Sequence, residues 1–340
     1  MSNVVQALIF DRYGREPTLV EPAFNYIAWR HNRTGQAVLA LPYTDPNCNK
    51  TLLRYGNRVL IQMGNGLPNF GGVVDVPMQR TDTGISFTVY TGDRILSWRR
   101  SAKIRSFTST SPGTIFETLL DDANAQSPTG ISAVSVSAAG EPRTQEYNYA
   151  PLGAAIEELL RYSGEEFVVL PVFTQGQLKF EAYWEPTIGH DLSLKVLLED
   201  GENVRDVAVD EQGTIASDIY VAGGSAGGTE WTDRFVGTDT NVASRIAYGF
   251  REHAEILTGV FDQATLDATA VALAAELNNP RPHLKCTAAN VSPSPFDQYN
   301  VGDIVTVHAY IIRGEWAIDA TMRLYGREWS PDNTCRLELL

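Results

Sequence analysis

Gly223-Gly224-Ser225-Ala226-Gly227 matches G-x-S-x-G, the spacing that places a serine nucleophile on a tight turn between a strand and a helix. The chemistry would be acyl transfer, with nearby backbone N–H groups holding the oxyanion. The residues before it, Asp218 to Ala222, read as extended. Gly228-Thr229-Glu230-Trp231-Thr232-Asp233 after it has no apolar helical period, and no alternation of strands and helices surrounds the motif. A glycine-rich hairpin or loop accounts for it. The same glycines are not a phosphate loop, because no Gly-Lys-Ser/Thr follows.

The remaining reactive residues do not converge. Glu157-Glu158, Glu165-Glu166 and Asp121-Asp122 are sequence neighbours whose side chains diverge on regular structure, whereas glycoside hydrolysis needs two carboxylates facing one another across a cleft. The five histidines, His31, His190, His253, His283 and His308, share no spacing. His283-Leu284-Lys285-Cys286 has the local spacing of a metal half-site but no second pair nearby. Cys48, Cys286 and Cys335 are too few and too scattered for a disulfide framework. Trp184, Trp231, Trp316 and Trp329 sit beside polar residues and could line a sugar-binding face, but aromatics at this level equally suit cores and subunit interfaces. The sequence calls for no catalytic residue, no metal and no cofactor.

The elements that would have to position such groups are mostly strands. The chain has 340 residues, 14 Tyr and 13 Phe against 4 Met, and an ordinary apolar content of 43%. Residues 1–108 read as β throughout, with strands at Val4 to Phe10, Phe24 to Arg30, Val38 to Leu41, Val59 to Met63, Gly72 to Met78 and Ile85 to Tyr90. Turn clusters such as Arg12-Tyr13-Gly14-Arg15 and Gly64-Asn65-Gly66-Leu67-Pro68 separate them, a spacing that indicates a barrel or sandwich.

At Ser111-Pro112 an N-cap and a proline in the first turn start a helix whose inner face is Ile115, Phe116, Leu119 and Leu120. A second helix runs from Pro151 to about Tyr162, with Gly164 just past its end. Residues 125–147 between them are small and polar and read as a loop with one strand. Phe167 to Val172 and Gln177 to Tyr183 follow as a hairpin. Strands resume at Leu192 to Leu198, Val204 to Asp210 and Ser217 to Ala222. Leu266, Ala270, Leu273 and Leu277 then share one face of a helix that Asn278-Asn279-Pro280 stops.

The expected fold is a β-rich α+β chain with two small β-barrels, the second discontinuous. The first barrel spans 1–108, an α+β domain 109–190, the first part of the second barrel 191–235, a helical insert 236–282, and the rest of the second barrel 283–340. A self-contained C-terminal module would be close to the lower size limit for independent folding.

A sequence pattern recurs near the two ends. Tyr55-Gly56-Asn57-Arg58-Val59-Leu60-Ile61 with Phe70-Gly71-Gly72-Val73-Val74-Asp75-Val76 matches Tyr299-Asn300-Val301-Gly302-Asp303-Ile304-Val305-Thr306-Val307 with Met322-Arg323-Leu324-Tyr325-Gly326-Arg327-Glu328-Trp329. In each copy an aromatic and a glycine lead into a β-branched strand, a turn and a second strand. The pattern predicts a duplicated module.

The net charge of −14 argues against a nucleic-acid-binding surface, though not against an acidic wall that nucleic acid slides past. The N-terminus lacks the basic start and apolar run of a secretion signal, and no stretch suits a membrane span, so synthesis in a cytoplasm and no stable membrane insertion are expected. The sequons at Asn32, Asn49 and Asn290 then read as chance matches.

In layout, and in the two aromatic-glycine hairpins just quoted, the sequence resembles the tail hub (baseplate hub) proteins of long-tailed bacteriophages and related injection particles. The helix from Asp262 to Leu277 leading to Tyr299-Asn300-Val301-Gly302-Asp303-Ile304-Val305 is part of the same likeness. The resemblance implies a homotrimer whose six quasi-equivalent barrels match a sixfold tail tube above and a threefold spike or fibre below. It implies as partners a distal tail or tail tube protein, a tape measure protein and tail spike or fibre proteins, with DNA passing through the lumen without specific binding. The location implied is the tail tip of the virion, with cell-wall cleavage and host recognition left to other subunits. Phe70 and Trp329 are the candidate interface anchors, each equally suited to the core. A distal tail protein, a carbohydrate-binding tail-tip component and, last, a serine hydrolase are the alternatives.

Overall fold

A computed structural model describes residues 5–64, 66–212, 214–225, 234–279, 281–311 and 316–340. Seven strands open the chain: β1 (Gln6–Phe10), β2 (Thr18–Val20), β3 (Ala23–Arg30), β4 (Gln36–Pro42), β5 (Arg58–Gln62), β6 (Phe70–Arg80) and β7 (Gly84–Thr91). Period-two alternation sets their faces: in β4, Ala37, Leu39 and Leu41 point inward while the residues between them are half-exposed.

The α+β unit follows, with α1 (Arg94–Ser97), β8 (Arg105–Thr110), α2 (Pro112–Gln126), β9 (Ile131–Val136), β10 (Arg143–Tyr147), α3 (Leu152–Ser163), β11 (Glu166–Thr174) and β12 (Gln177–Glu185). Ser111 caps α2 by accepting from the Thr114 N–H, and Gly164 ends α3 at φ +68°. β9, β12 and β11 form one sheet and β8 pairs with β10. The stretch read as a loop therefore holds two strands, and β8 belongs to this unit rather than to the first set of strands.

The remaining elements are β13 (Leu197–Glu199), β14 (Val204–Gln212), β15 (Asp218–Ser225), β16 (Arg234–Thr240), α4 (Val242–Tyr248), β17 (Glu252–Ile256), α5 (Gln263–Leu277), β18 (Arg281–Ala289), β19 (Ile304–Ile311), β20 (Trp316–Ser330) and β21 (Thr334–Leu339). β15 does not join β14, as the sequence suggested. It lies between β16 and β17 in a separate sheet, and α5 packs on that sheet through Leu266, Ala270 and Leu273 beside Ile219 and Val221. Alternation marks a strand but not its neighbours, so the residues between β14 and β18 are a third α+β unit and not only a helical insert.

The fold class is β-rich α+β, as expected. Among the described residues the strands expected in the two barrels, β15 apart, lie in one continuous thirteen-stranded sheet, and no pairing closes either half of it. Its main path is β14-β18-β21-β20-β3-β4-β7-β6-β5-β1-β2, with β19 and β13 branching from β20. One core lies under both halves, with Ile27, Leu39, Phe70 and Phe87 in the same cluster as Cys286, Tyr299, Val307 and Leu337. No helix among the described residues is long and apolar enough to cross a membrane.

Candidate functional site

The reactive residues named from the sequence are dispersed and mostly structural. Ser225 has its backbone in an antiparallel ladder opposite Arg234, so β15 leads to another strand. Its side chain, and residues 226–233 with Trp231, lie outside the described residues. The adjacent glycines have a packing reason. A Cβ on Gly223 would stand 2.6 Å from the Val260 carbonyl oxygen, and one on Gly224 2.5 Å from that of Thr258.

His283 and Cys286 are three apart on β18, and Cys286 is buried, its thiol pushed up to about 12 by burial. Cys335 is also buried and Cys48 half-buried, and all three are free thiols. Among the described residues no group of three His, Cys, Asp or Glu is placed to hold a metal. Trp184 and Trp329 are buried and cannot form a sugar platform; the Trp316 side chain lies outside the described residues. The exposed His190 lies 3.7 Å from the buried carboxylate of Asp303, and His308 lies 3.1 Å from the exposed carboxylate of Asp319.

The acidic pairs diverge as expected, and Glu165, Glu158 and Asp122 are held by partners within the α+β unit. Glu165 accepts from Trp184 Nε1 at 2.7 Å inside the α+β core, while Asp122 is bound by Arg105 near the surface. Gln145 donates to Glu158 at 2.6 Å, and Glu255 of β17 accepts from Arg161 at 2.8 Å and from the Tyr162 hydroxyl. Burial raises the pKa of Glu158 and, together with Glu255, that of Tyr162. This network joins the second and third units.

Glu166 joins three segments. It accepts from Arg323 of β20 at 2.7 Å, lies 3.4 Å from His31 Nε2 just after β3, and also accepts from the Ile188 N–H. Burial acts to raise its pKa, but the His31 and Ile188 hydrogen bonds and the His31 and Arg323 charges outweigh it, so the carboxyl titrates below its usual range. A depressed folded pKa contributes stability that is present above the unfolded value, near 4.3, and lost as pH falls through the folded value. Glu166→Gln should therefore cost about 1–3 kcal/mol at pH 7, and much less at pH 3. Urea midpoints at the two pH values check this; an equal loss at both would refute it.

The largest organised feature is the relation between the two halves of the long sheet. The order β1-β5-β6-β7-β4-β3 recurs as β13-β19-β20-β21-β18-β14. Only the first pair differs in sense, with β1–β5 antiparallel and β13–β19 parallel. The entry turns match bond for bond. The Gly56 N–H donates to Val74 O at 2.8 Å and the Val74 N–H to Asn57 O at 2.9 Å; Gly302 with Leu324, and Leu324 with Asp303, repeat this at 2.8 Å each. Both glycines have positive φ, +86° and +100°, a conformation open to glycine at little cost. Val74 faces Val89 as Leu324 faces Leu339, and a bulge follows in each. Bulges also recur in β3 and β14. The recurring sequence pattern is thus the visible part of a six-strand duplication.

The halves meet edge to edge, with Gly326–Trp329 of β20 antiparallel to Arg30–Ile27 of β3. Trp329 packs its edge against Phe24 at 6.4 Å, and Arg30 lies 3.7 Å from Glu328 and 3.5 Å from Glu338. Phe70 is 1% exposed, edge-on to Trp29 at 6.0 Å, and Trp329 is 6% exposed. Within a single chain both named anchors are therefore already covered, and Trp329 anchors the seam between the halves. A cavity of about 490 Å³ opens beside this junction, lined by Trp29, His31, Phe70, Asp93, Pro171 and His190 among others.

No family model matches the sequence, and neither does any curated protein. Solved structures do match its fold. The 43 kDa tail protein of prophage MuSo2 from Shewanella oneidensis is 14% identical with a TM-score of 0.63, over 98% of each chain. The tail protein from Neisseria meningitidis MC58 is 13% identical with a TM-score of 0.62, over 100% of this chain and 96% of that one. Prophage tail protein gp18 from Listeria monocytogenes EGD-e is 13% identical with a TM-score of 0.59, over 98% and 94%. The chain shares its fold with these tail proteins across nearly its whole length.

Proposed function

We propose that this chain is a structural, non-catalytic subunit of a phage tail, the hub at the distal end of the tail tube. The observation that carries the reading is the duplication: two six-strand repeats joined edge to edge give one chain two quasi-equivalent positions in a ring. Three copies would present six repeats to a sixfold tube while keeping threefold symmetry for a spike or fibre below. Each contact would be heterologous, the type that closes rings, and permanent, burying on the order of 2,000 Å² or more. The fold shared with tail proteins supports the assignment.

The neighbours in this reading are a distal tail or tail tube protein, the tape measure protein and spike or fibre proteins. The net charge of −14 suits a lumen through which DNA passes, since like charge keeps phosphates from adhering. The expected location is the tail tip, after synthesis in the host cytoplasm. A reconstruction of the intact particle tests the reading. Three copies on the tube axis are expected; six copies, or an off-axis position, would overturn it.

A further inference from the structure

The seam between β20 and β3 uses one edge from each repeat, and the equivalent two edges have no strand partner among the described residues. β14, the counterpart of β3, ends the main path of the sheet. In β6, the counterpart of β20, residues 70–73 pair with β5 and Val74 bonds the turn at Gly56 and Asn57. From Asp75 onward β6 has only β7 as a strand neighbour; the Val76 N–H is taken by Asp75 Oδ1 and Pro77 carries none, so the open edge is that of Met78–Arg80, and Val76, Gln79 and Arg80 are exposed. An open edge of this kind is a row of N–H and C=O groups that template another strand.

We infer that β14 of one copy pairs antiparallel with the end of β6 in the next copy, repeating between chains the seam that β3 and β20 make within one. This rests on the ring reading above and adds the surface and register that build it. The duplication fixes the register. Gln79 opposite Ser86 corresponds to Glu328 opposite Arg336, so Gln79 takes the place of Glu328. Ala28 pairs with Gln36 on β4 as Asp210 pairs with His283 on β18, so Asp210 takes the place of Ala28. Since Glu328 faces Ala28 in the seam, Gln79 should face Asp210, and Arg80 should face Val209. Gln79, Arg80 and Asp210 are all exposed in the single chain, where Asp210 accepts from Lys285 at 3.1 Å, and Arg80 would lie beside the same carboxylate. The contact joins unlike edges, so no copy can satisfy a partner through the same edge twice, and the pairing propagates around a ring until it closes.

Full-length chains carrying Gln79→Cys or Asp210→Cys, with Cys48→Ser to remove the half-buried native thiol, test this directly. Oxidation of an equimolar mixture should shift protein to twice the chain mass, because facing residues on paired strands stand within disulfide reach. Either variant alone should stay at the chain mass. A chain with both substitutions should give a ladder ending in a closed species. No link in the mixture, dimers from either variant alone, or equal linkage of Gln79→Cys with Asp206→Cys would each overturn the pairing. A ladder closing at a number other than three would uphold the pairing and refute the threefold hub. A threefold ring in the particle without the 79–210 link would refute the pairing and leave the hub standing.

Discussion

Replacing Arg327 by alanine is expected to lower the stability of the chain by about 3–5 kcal/mol. The side chain is fully buried at 0% exposure. Its two terminal nitrogens donate to the Tyr299 carbonyl at 2.9 Å and the Phe296 carbonyl at 3.0 Å, and its guanidinium lies over both rings at 4.8 and 4.9 Å. Truncation opens a cavity and leaves two buried carbonyls without their donor, each loss being worth about 1–3 kcal/mol. The carbonyls belong to the segment that leads into Gly302, so the damage should reach the β19–β20 entry turn. Arg327→Lys should fall between, since an ammonium cannot span both carbonyls as a planar fork does. Urea unfolding followed by tryptophan fluorescence measures the effect, and a loss under about 1 kcal/mol for the alanine variant would refute the account.

Trp184→Ala should cost a similar about 3–5 kcal/mol, confined to the α+β unit. Trp184 is 0% exposed, stacked on Phe116 at 5.3 Å and 21°, with Phe167 at 5.9 Å. Its indole N–H is also a donor to the buried carboxylate of Glu165. Alanine removes the largest side chain of that core and leaves the carboxylate short of a partner. Trp184→Phe restores most of the packing but not the donor, so the difference between the variants reports the hydrogen bond. Hydrogen exchange should show β9, β11 and β12 losing protection while the long sheet keeps it; a uniform loss would mean the units unfold together.

Much of this architecture was legible in the sequence where one local interaction decides the outcome. Ser111-Pro112, Gly164 and the Asp262 start mark helix ends through caps made within a few residues, and all three ends lie where the sequence puts them. The strands of the first repeat stand out because their inner positions are Val, Ile, Leu and Phe. β10, with the sequence Arg-Thr-Gln-Glu-Tyr, does not, because polar bonds to another unit stabilise it; the Glu146 N–H donating to the Gly259 carbonyl is one. Only the hairpin part of the duplication was readable, since the rest conserves pairing rather than residue type. Leu39 faces Phe87 at the position where Cys286 faces Leu337. The third unit was hidden for the same reason that β15 was misplaced: partner choice is set by distant segments. The roles of Glu166, Arg327 and the seam depend on residues far apart in the chain, and among them the sequence marks only Trp329 as an anchor.

The seam between β3 and β20 also sets the order in which the molecule can be completed. Ile27 and Trp329 are opposite one another although about three hundred residues apart in sequence, which makes this among the most non-local pairings in the chain. On the ribosome the first repeat emerges with the outer edge of β3 uncovered, and the strand that covers it is made about three hundred residues later. Throughout that interval the nascent chain carries an adhesive edge, and β20 acts as its cover.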